Sequence, residues 1–246
     1  MSGRIQTYMT KLAQMLKTAG VCHNPSPILM EAGKIYGHGA PYHIQKLKLE
    51  FETVPPHSLP NGLLYIEVII DVDFCLNDID ENNIGTVISD CSFNILFQGV
   101  GDNKTYYFPM HLDYDVNEGN NENKENKENK EKWQYIHPEC HLTYGGDFLK
   151  HKDTGEILIL PTPRIPYLPM DFFLGVDFIL SNFMPRDKYF ECFMGNPEYK
   201  HIIQQSQNNI WRPYILSIAH HWCKFSNCQY NLIDKDLSKH YVPTLI

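Results

Sequence analysis

Alternation of apolar and polar residues, which begins near residue 45, is the feature that most constrains the fold of this chain. The alternation is clear in three segments, which read QKLKLEFET from residue 45, LLYIEVIIDVDF from residue 63 and CSFNILFQ from residue 91. Successive side chains of a β-strand point to opposite faces, so each segment predicts a strand with one apolar and one polar face. Strands of this kind are typical of an antiparallel sheet that packs against the core on one side.

Similar patterns predict the remaining elements. Two longer strands and a short one are predicted further along the chain, at residues 105–116, 133–144 and 156–160. Apolar residues at helical spacing over residues 5–19, followed by Gly20, predict an N-terminal helix. The nearly apolar segment from Met170 and the segment from Pro197 predict C-terminal helices, with a break or kink at Pro213.

Strands followed by helices, rather than alternating with them, favour an α+β fold over a doubly wound α/β fold. We expect an antiparallel sheet of about five to six strands, with an N-terminal helix and C-terminal helices packed on one face. The 246 residues suit one α+β domain, 1–246, with a sheet region at about 45–160 and a helical C-terminal region at about 169–232. Residues 118–132 repeat the triplet ENK without an apolar residue, which predicts a solvated low-complexity loop.

Charge and cysteine content bear on the class of partner and on the compartment. A formal net charge of −8 at pH 7 argues against the broad basic stripe that binding of duplex DNA requires. The seven cysteines form no CxxC pair, no signal peptide opens the chain, and no apolar run is long enough for a bilayer. We therefore expect a cytoplasmic protein with reduced thiols and no membrane association.

Polar side chains with acid–base and metal-binding chemistry lie on the two predicted strands that flank the ENK loop. His111 and Asp113 share the polar face of the first strand. On the second strand, the polar face carries His137, His141 and Thr143. If the apolar faces of both strands meet the core, in-register pairing brings these five residues together on one side of the sheet.

One interpretation of this face is acid–base catalysis. Imidazole exchanges protons near neutral pH, so His111 and His141 can act as an acid–base pair for phosphodiester cleavage, with Asp113 orienting His111. The steps HLD at 111–113 and HLT at 141–143 resemble the H-x-T/S steps of the two-histidine phosphoesterases. Metal-independent and metal-dependent phosphodiesterase or ribonuclease chemistry both stay open.

Two other interpretations compete with it. Mixed imidazole and carboxylate ligands suit zinc, manganese or iron, and such a site would be built from His111, Asp113, His137 and His141. Asp71 and Asp73 would join this metal site if their strand were adjacent. The plainest interpretation is a solvated polar face without a site, and the identity of any cofactor stays open.

Substrate contacts are predicted beside the histidines. Arg164 lies in a stiff proline-rich segment, where an arginine can clamp a phosphate or carboxylate near the sheet. Together with His137 and Thr143 it forms the predicted substrate-binding set. Tyr106 and Tyr107 can stack on bases, which favours RNA or a nucleotide as the substrate.

The order of three segments, FPMHLDYD, HPECHLTYGG and LILPTPRIPYLPMDFFL, resembles an uncharacterised bacterial family, domain of unknown function 2290. The resemblance covers most of the chain apart from the ENK loop and implies a bacterial origin. The HPxxH arrangement with a strand aspartate is also similar to that of small bacterial toxin families suspected of ribonuclease action. These resemblances imply a nuclease-like or phosphoesterase-like effector in defence or toxin–antitoxin biology. The alternative is a non-catalytic interaction or antitoxin-like binding module with a protein partner.

Overall fold

The computed structural model describes residues 2–35, 41–51, 63–76, 88–101, 105–114, 140–145 and 165–223. Its strands are β1 (Tyr42–Phe51), β2 (Leu63–Leu76), β3 (Ile88–Gly101), β4 (Thr105–Tyr114), β5 (Cys140–Tyr144) and β6 (Ile165–Pro166). Its α-helices are α1 (Ser2–Thr18), α2 (Ser26–Ala32), α3 (Phe172–Phe183), α4 (Arg186–Tyr189), α5 (Pro197–Ser206) and α6 (Arg212–Cys223). The predicted α+β class is confirmed.

The described strands form one antiparallel sheet in the order β1-β2-β3-β4-β5-β6, so each strand pairs with its neighbour in the sequence. The prediction of about five to six strands is therefore confirmed. The last strand of this sheet, β6, lies in the proline-rich segment that the sequence predicts to be extended. The strand predicted at 156–160 and the ENK loop at 118–132 lie outside the described residues.

The apolar face of the sheet forms the core together with the helices. Alternate strand residues on this face are at most 1% exposed, namely Val68, Ile70, Val72, Phe93, Ile95 and Leu112. The C-terminal helices cover them, and the ring of Phe183 at the end of α3 lies 4.2 Å from the ring of Phe97. The N-terminal helix joins the same core, since the ring of Tyr8 in α1 meets the ring of Phe173 at 6.3 Å. One face of the sheet is thus covered and the other is left polar.

The N-terminal segment covers the free edge of β1. The backbone N–H of Glu50 donates to the carbonyl of Val21 at 2.8 Å, and the N–H of His43 donates to Glu31 Oε1 at 2.9 Å. An open strand edge presents unpaired N–H and C=O groups to other chains. These two bonds block part of that edge, and the second also gives the buried carboxylate of Glu31 a partner.

The irregularity predicted at Pro213 takes the form of a π-helical turn. Residues Gln207–Trp211 form this turn directly after α5, and α6 begins at Arg212. Proline has no N–H to donate to the carbonyl four residues earlier, so the helical ladder is interrupted next to it. A similar π-helical turn, Phe190–Met194, follows α4.

Two further observations concern the cysteines and the helices. Among the described residues, Cys22, Cys75, Cys91, Cys140 and Cys192 form no disulfide bond. Within the same residues, no helix combines the length and apolar character needed to cross a bilayer.

Asp171 joins the start of α3 to α5 through two hydrogen bonds. Its Oδ1 accepts from the backbone N–H of Leu174 at 2.8 Å, and its Oδ2 accepts from the Ser206 hydroxyl at 2.7 Å. The next N–H along the chain, that of Phe172, donates to the Tyr42 hydroxyl oxygen of β1 at 3.0 Å. Burial raises the pKa of Asp171 to about 6, although the hydrogen bonds from Leu174 and Ser206 act in the opposite direction.

The helix–sheet contact can be tested at Gly175. A Cβ at this position would lie 2.1 Å from two ring carbons of Phe93, which is fully buried and cannot move without displacing its neighbours. We expect Gly175→Ala to lower the free energy of unfolding by about 1–3 kcal/mol through overpacking, measured by urea denaturation. Gly33→Ala is the matched control, because its Cβ would meet nothing closer than 3.5 Å. Equal stability of the two variants would contradict the tight contact between α3 and β3.

The titration of Asp171 predicts a pH-dependent stability. The folded chain binds the proton more tightly than the unfolded chain, whose carboxyl has a pKa near 3.8. This stabilising contribution is therefore complete below pH 3.8 and is lost as the pH rises through about 6. Asp171→Asn keeps an oxygen acceptor but does not ionise. From about pH 4 to about pH 7, the wild type should lose ~2 kcal/mol of unfolding free energy that this variant keeps, measured by urea denaturation at each pH. Parallel pH curves for the two proteins would contradict this account.

Candidate functional site

The face of the sheet opposite the helices, here called the polar face, carries two rows of polar side chains. One row runs across five paired strands, through His43, Asp73, Ser92, Asp113 and His141. The second row runs beside it, through Asp71, Asn94, His111 and Thr143. The register thus places polar groups from distant parts of the sequence next to one another.

Three of these side chains form a compact group, which we call the histidine–aspartate cluster: His111, Asp113 and His141. One nitrogen or oxygen atom from each lies within 4.8 Å of the others. His111 Nε2 lies 3.2 Å from Asp113 Oδ2, and these two side chains are 23% and 31% exposed. His141 is only 1% exposed, so the cluster reaches from the surface into the protein.

The cluster follows from the alternation of β4 and β5. His111 and Asp113 are two residues apart on β4, so they share a face, and Asp113 is paired directly with His141 on β5. The intervening Leu112 and the preceding Cys140 are fully buried on the opposite face, under the helices. Burial of these two residues fixes the direction in which the cluster points.

Thr143 lies beside the cluster, and its hydroxyl is buried. It pairs with His111 across β4 and β5, on the same face as the three cluster residues. Its Oγ1 is buried and finds no hydrogen-bond partner in the part of the chain that the structure describes. Burial of a hydroxyl without a partner destabilises a fold by about 1–3 kcal/mol. A polar ligand that makes a hydrogen bond to this hydroxyl would recover that energy.

Other predicted site residues do not join the cluster. His137 and Arg164 lie outside the described residues. Asp71 and Asp73 lie on β2, which β3 separates from β4, so two strand spacings of ~5 Å each keep them away from the cluster. Both have nearer partners, since Asp71 Oδ1 accepts from a backbone N–H of β1 at 2.6 Å and Asp73 Oδ1 lies 2.7 Å from His43 Nδ1.

The pair His43–Asp73 is a polar-face feature that the sequence analysis missed. A regular alternation over residues 45–53 does not include His43, and the register of β1 on β2 shifts at a bulge between Ile44 and Leu47. Lys46 in this bulge has a φ of 53°, a left-handed conformation that the sequence does not predict for a lysine. Alternation of hydrophobic residues could have extended the predicted strand back to Ile44 and Tyr42. It does so only if one extra residue is placed between Ile44 and Leu47, as the bulge requires.

The polar face is acidic. Its described residues include the carboxylates Glu50, Glu67, Asp71, Asp73 and Asp113, which outnumber the ammonium groups. The ammonium group of Lys48 is already paired, with Nζ 2.5 Å from Glu67 Oε1. A negative potential of this kind favours a cation at the face and opposes an anion. The exposed Tyr107 lies on the polar face near the start of β4, whereas the exposed Tyr106 lies on the opposite face.

Comparisons with protein-family models, with curated proteins and with solved structures find no match for this chain. The resemblance to the family domain of unknown function 2290 thus stays a prediction from the three quoted segments. What can be concluded about function depends on the geometry and electrostatics of the histidine–aspartate cluster.

Proposed function

We propose that this protein is a hydrolase that cleaves phosphoester bonds at the histidine–aspartate cluster. The observation that carries the proposal is the meeting of two imidazoles and one carboxylate within 4.8 Å on the polar face. Hydrolysis of a phosphoester needs a group that takes a proton from water and a group that donates a proton to the leaving oxygen. His111, Asp113 and His141 supply the residue types for both tasks.

The reaction is a displacement at phosphorus. A water oxygen forms a bond to phosphorus, the bond from phosphorus to the leaving oxygen breaks, and a proton passes from the water to the departing alkoxide. Two imidazoles can move that proton directly, as base and acid, or they can hold a metal ion that activates the water. Either route places the attacking water at the same three side chains.

Asp113 is a positioning residue for His111 in the first of these routes. Its Oδ2 lies 3.2 Å from His111 Nε2, which is a close polar contact. A carboxylate in this place holds the ring in one orientation. The partial exposure of both side chains leaves room for a substrate to approach.

The predicted substrate and setting belong to the same proposal. Thr143 lies beside His111 and suits a contact to a phosphate oxygen, and His137 and Arg164 complete the predicted substrate set. RNA or a nucleotide is the proposed substrate, for which the exposed Tyr107, on the same face as the cluster, offers a surface for stacking. The sequence resemblance adds a bacterial role in defence or toxin–antitoxin biology, and the cysteine content adds a cytoplasmic location.

The test is an activity assay with matched variants. Purified wild type, His111→Ala, His141→Ala and Asp113→Asn would be compared on RNA, cyclic nucleotides and bis(p-nitrophenyl) phosphate, each with and without added divalent metal. We expect turnover by the wild type and a loss of about 10²–10⁴-fold in kcat/KM for either alanine variant. His43→Ala is the control, because it removes a histidine of the same face that lies outside the cluster.

Circular dichroism and thermal melting would establish that each variant is folded. Absence of turnover by the wild type on all substrates would overturn the proposal in favour of a non-catalytic binding module. Turnover that survives both alanine substitutions would place the reaction elsewhere in the chain.

A further inference from the structure

We infer that the histidine–aspartate cluster binds one divalent transition-metal ion, through a nitrogen of His111, a nitrogen of His141 and a carboxylate oxygen of Asp113. The use of this ion in hydrolysis rests on the proposed function, whereas its binding does not. Four lines of evidence support the inference: the spacing of the three donor atoms, the burial of one imidazole, the charge of the face, and the hydroxyl of Thr143.

The spacing of the donor atoms suits one metal ion. Nitrogen and oxygen ligands lie ~2.1 Å from zinc, so two ligands of one tetrahedral ion are ~3.4 Å apart. The separation of 3.2 Å between His111 Nε2 and Asp113 Oδ2 fits two adjacent ligands. All three donors lie within 4.8 Å, so small side-chain rotations would bring them to bonding distance. Two imidazoles and one carboxylate are a donor set that zinc, iron and manganese accept, with positions left for water.

The burial of His141 favours a ligand over a proton shuttle. At 1% exposure its ring has little access to bulk water, with which a general acid or base must exchange protons in every cycle. A metal ligand is a neutral imidazole that keeps one state throughout. The less buried His111 and Asp113 would then hold the side of the ion that faces substrate.

The charge of the polar face supports the same conclusion. Carboxylates outnumber ammonium groups among its described residues, so the bare face attracts cations and repels the anionic phosphoester that the proposed reaction requires. A divalent ion at Asp113 reverses the sign of the local charge. Metal binding thus removes the main electrostatic objection to a phosphate substrate.

Thr143 provides an independent observation. Its buried Oγ1 has no hydrogen-bond partner among the described residues, and it lies opposite His111 on the same face. A water molecule bound to the ion would supply that partner. The hydroxyl would orient this water without touching the metal, so its removal should weaken binding less than removal of a ligand.

Cobalt(II) is the probe for the test, because its visible absorption reports the ligands and needs no catalytic turnover. Full-length protein would be stripped with a chelator, dialysed and titrated with Co²⁺, and zinc affinity would be measured by isothermal calorimetry. We expect one ion per chain with visible d–d bands, and a loss of at least ~100-fold in affinity for His141→Ala and Asp113→Asn. Thr143→Val should keep the bands and lose ~10-fold in affinity.

His43→Ala is the matched control, since His43 also lies against an aspartate on the polar face but has no third donor within the described residues. It should bind Co²⁺ as the wild type does. If His141→Ala fails to fold, Asp113→Asn and His111→Ala carry the test, because both positions are partly exposed. Absence of d–d bands and of binding heat in the wild type would overturn the inference. Unchanged affinity in the ligand variants would overturn it as well.

The two proposals fail in different ways. Metal binding that depends on the cluster, without turnover on any phosphoester, would support the inference and overturn the proposed function. Turnover by the stripped protein, lost in His141→Ala and accompanied by no metal binding, would overturn the inference and support the proposed function.

Discussion

The register of the antiparallel pairing from β2 to β5 is the constraint on which the rest of this structure depends. Because side chains alternate between faces, a slip of one residue would move every apolar side chain of a strand to the polar face. The observed register sets Ile95 opposite Met110 and Leu112 opposite Leu142. The same register sets Asp113 opposite His141, so the core and the cluster are two consequences of one pairing.

The helices secure this register from the apolar side. Leu112 is fully buried and lies between His111 and Asp113 in the sequence, so it anchors both cluster residues of β4. Burial of a leucine side chain stabilises a fold by about 1.5–3 kcal/mol, which is more than a surface ion pair contributes. α3 approaches β3 so closely that Gly175 leaves no space for a methyl group against Phe93. Precision at the cluster thus comes from packing on the other side of the sheet.

Much of this arrangement could be predicted from the sequence, because it depends on local periodicity. Alternation assigns His111, Asp113, His141 and Thr143 to polar positions, and consecutive strands of an antiparallel sheet are usually neighbours. The structure pairs these positions directly across β4 and β5. The α+β class follows from the same pattern, together with the helical spacing of the flanking segments.

The features that could not be predicted depend on contacts that periodicity does not encode. The separation of Asp71 from the cluster follows from the position of β3 between β2 and β4, which is a property of strand order. The low exposure of His141 depends on the residues that pack around it, whereas alternation alone predicts a solvent-exposed side chain at that position. The pairing of His43 with Asp73 depends on the bulge of β1, where Lys46 adopts a left-handed conformation.

Two histidine–aspartate pairs on one face differ in what they can do. His43 and Asp73 are closer, at 2.7 Å, but they are 59% and 45% exposed, so water screens their interaction and it contributes about 0–1 kcal/mol. His111 and Asp113 lie 3.2 Å apart with less exposure, and His141 adds a second imidazole from the interior. A carboxylate and two imidazoles in a partly desolvated place supply three ligands that a metal ion accepts. Burial and the third donor, rather than the shorter distance, therefore distinguish the candidate site from an ordinary surface pair.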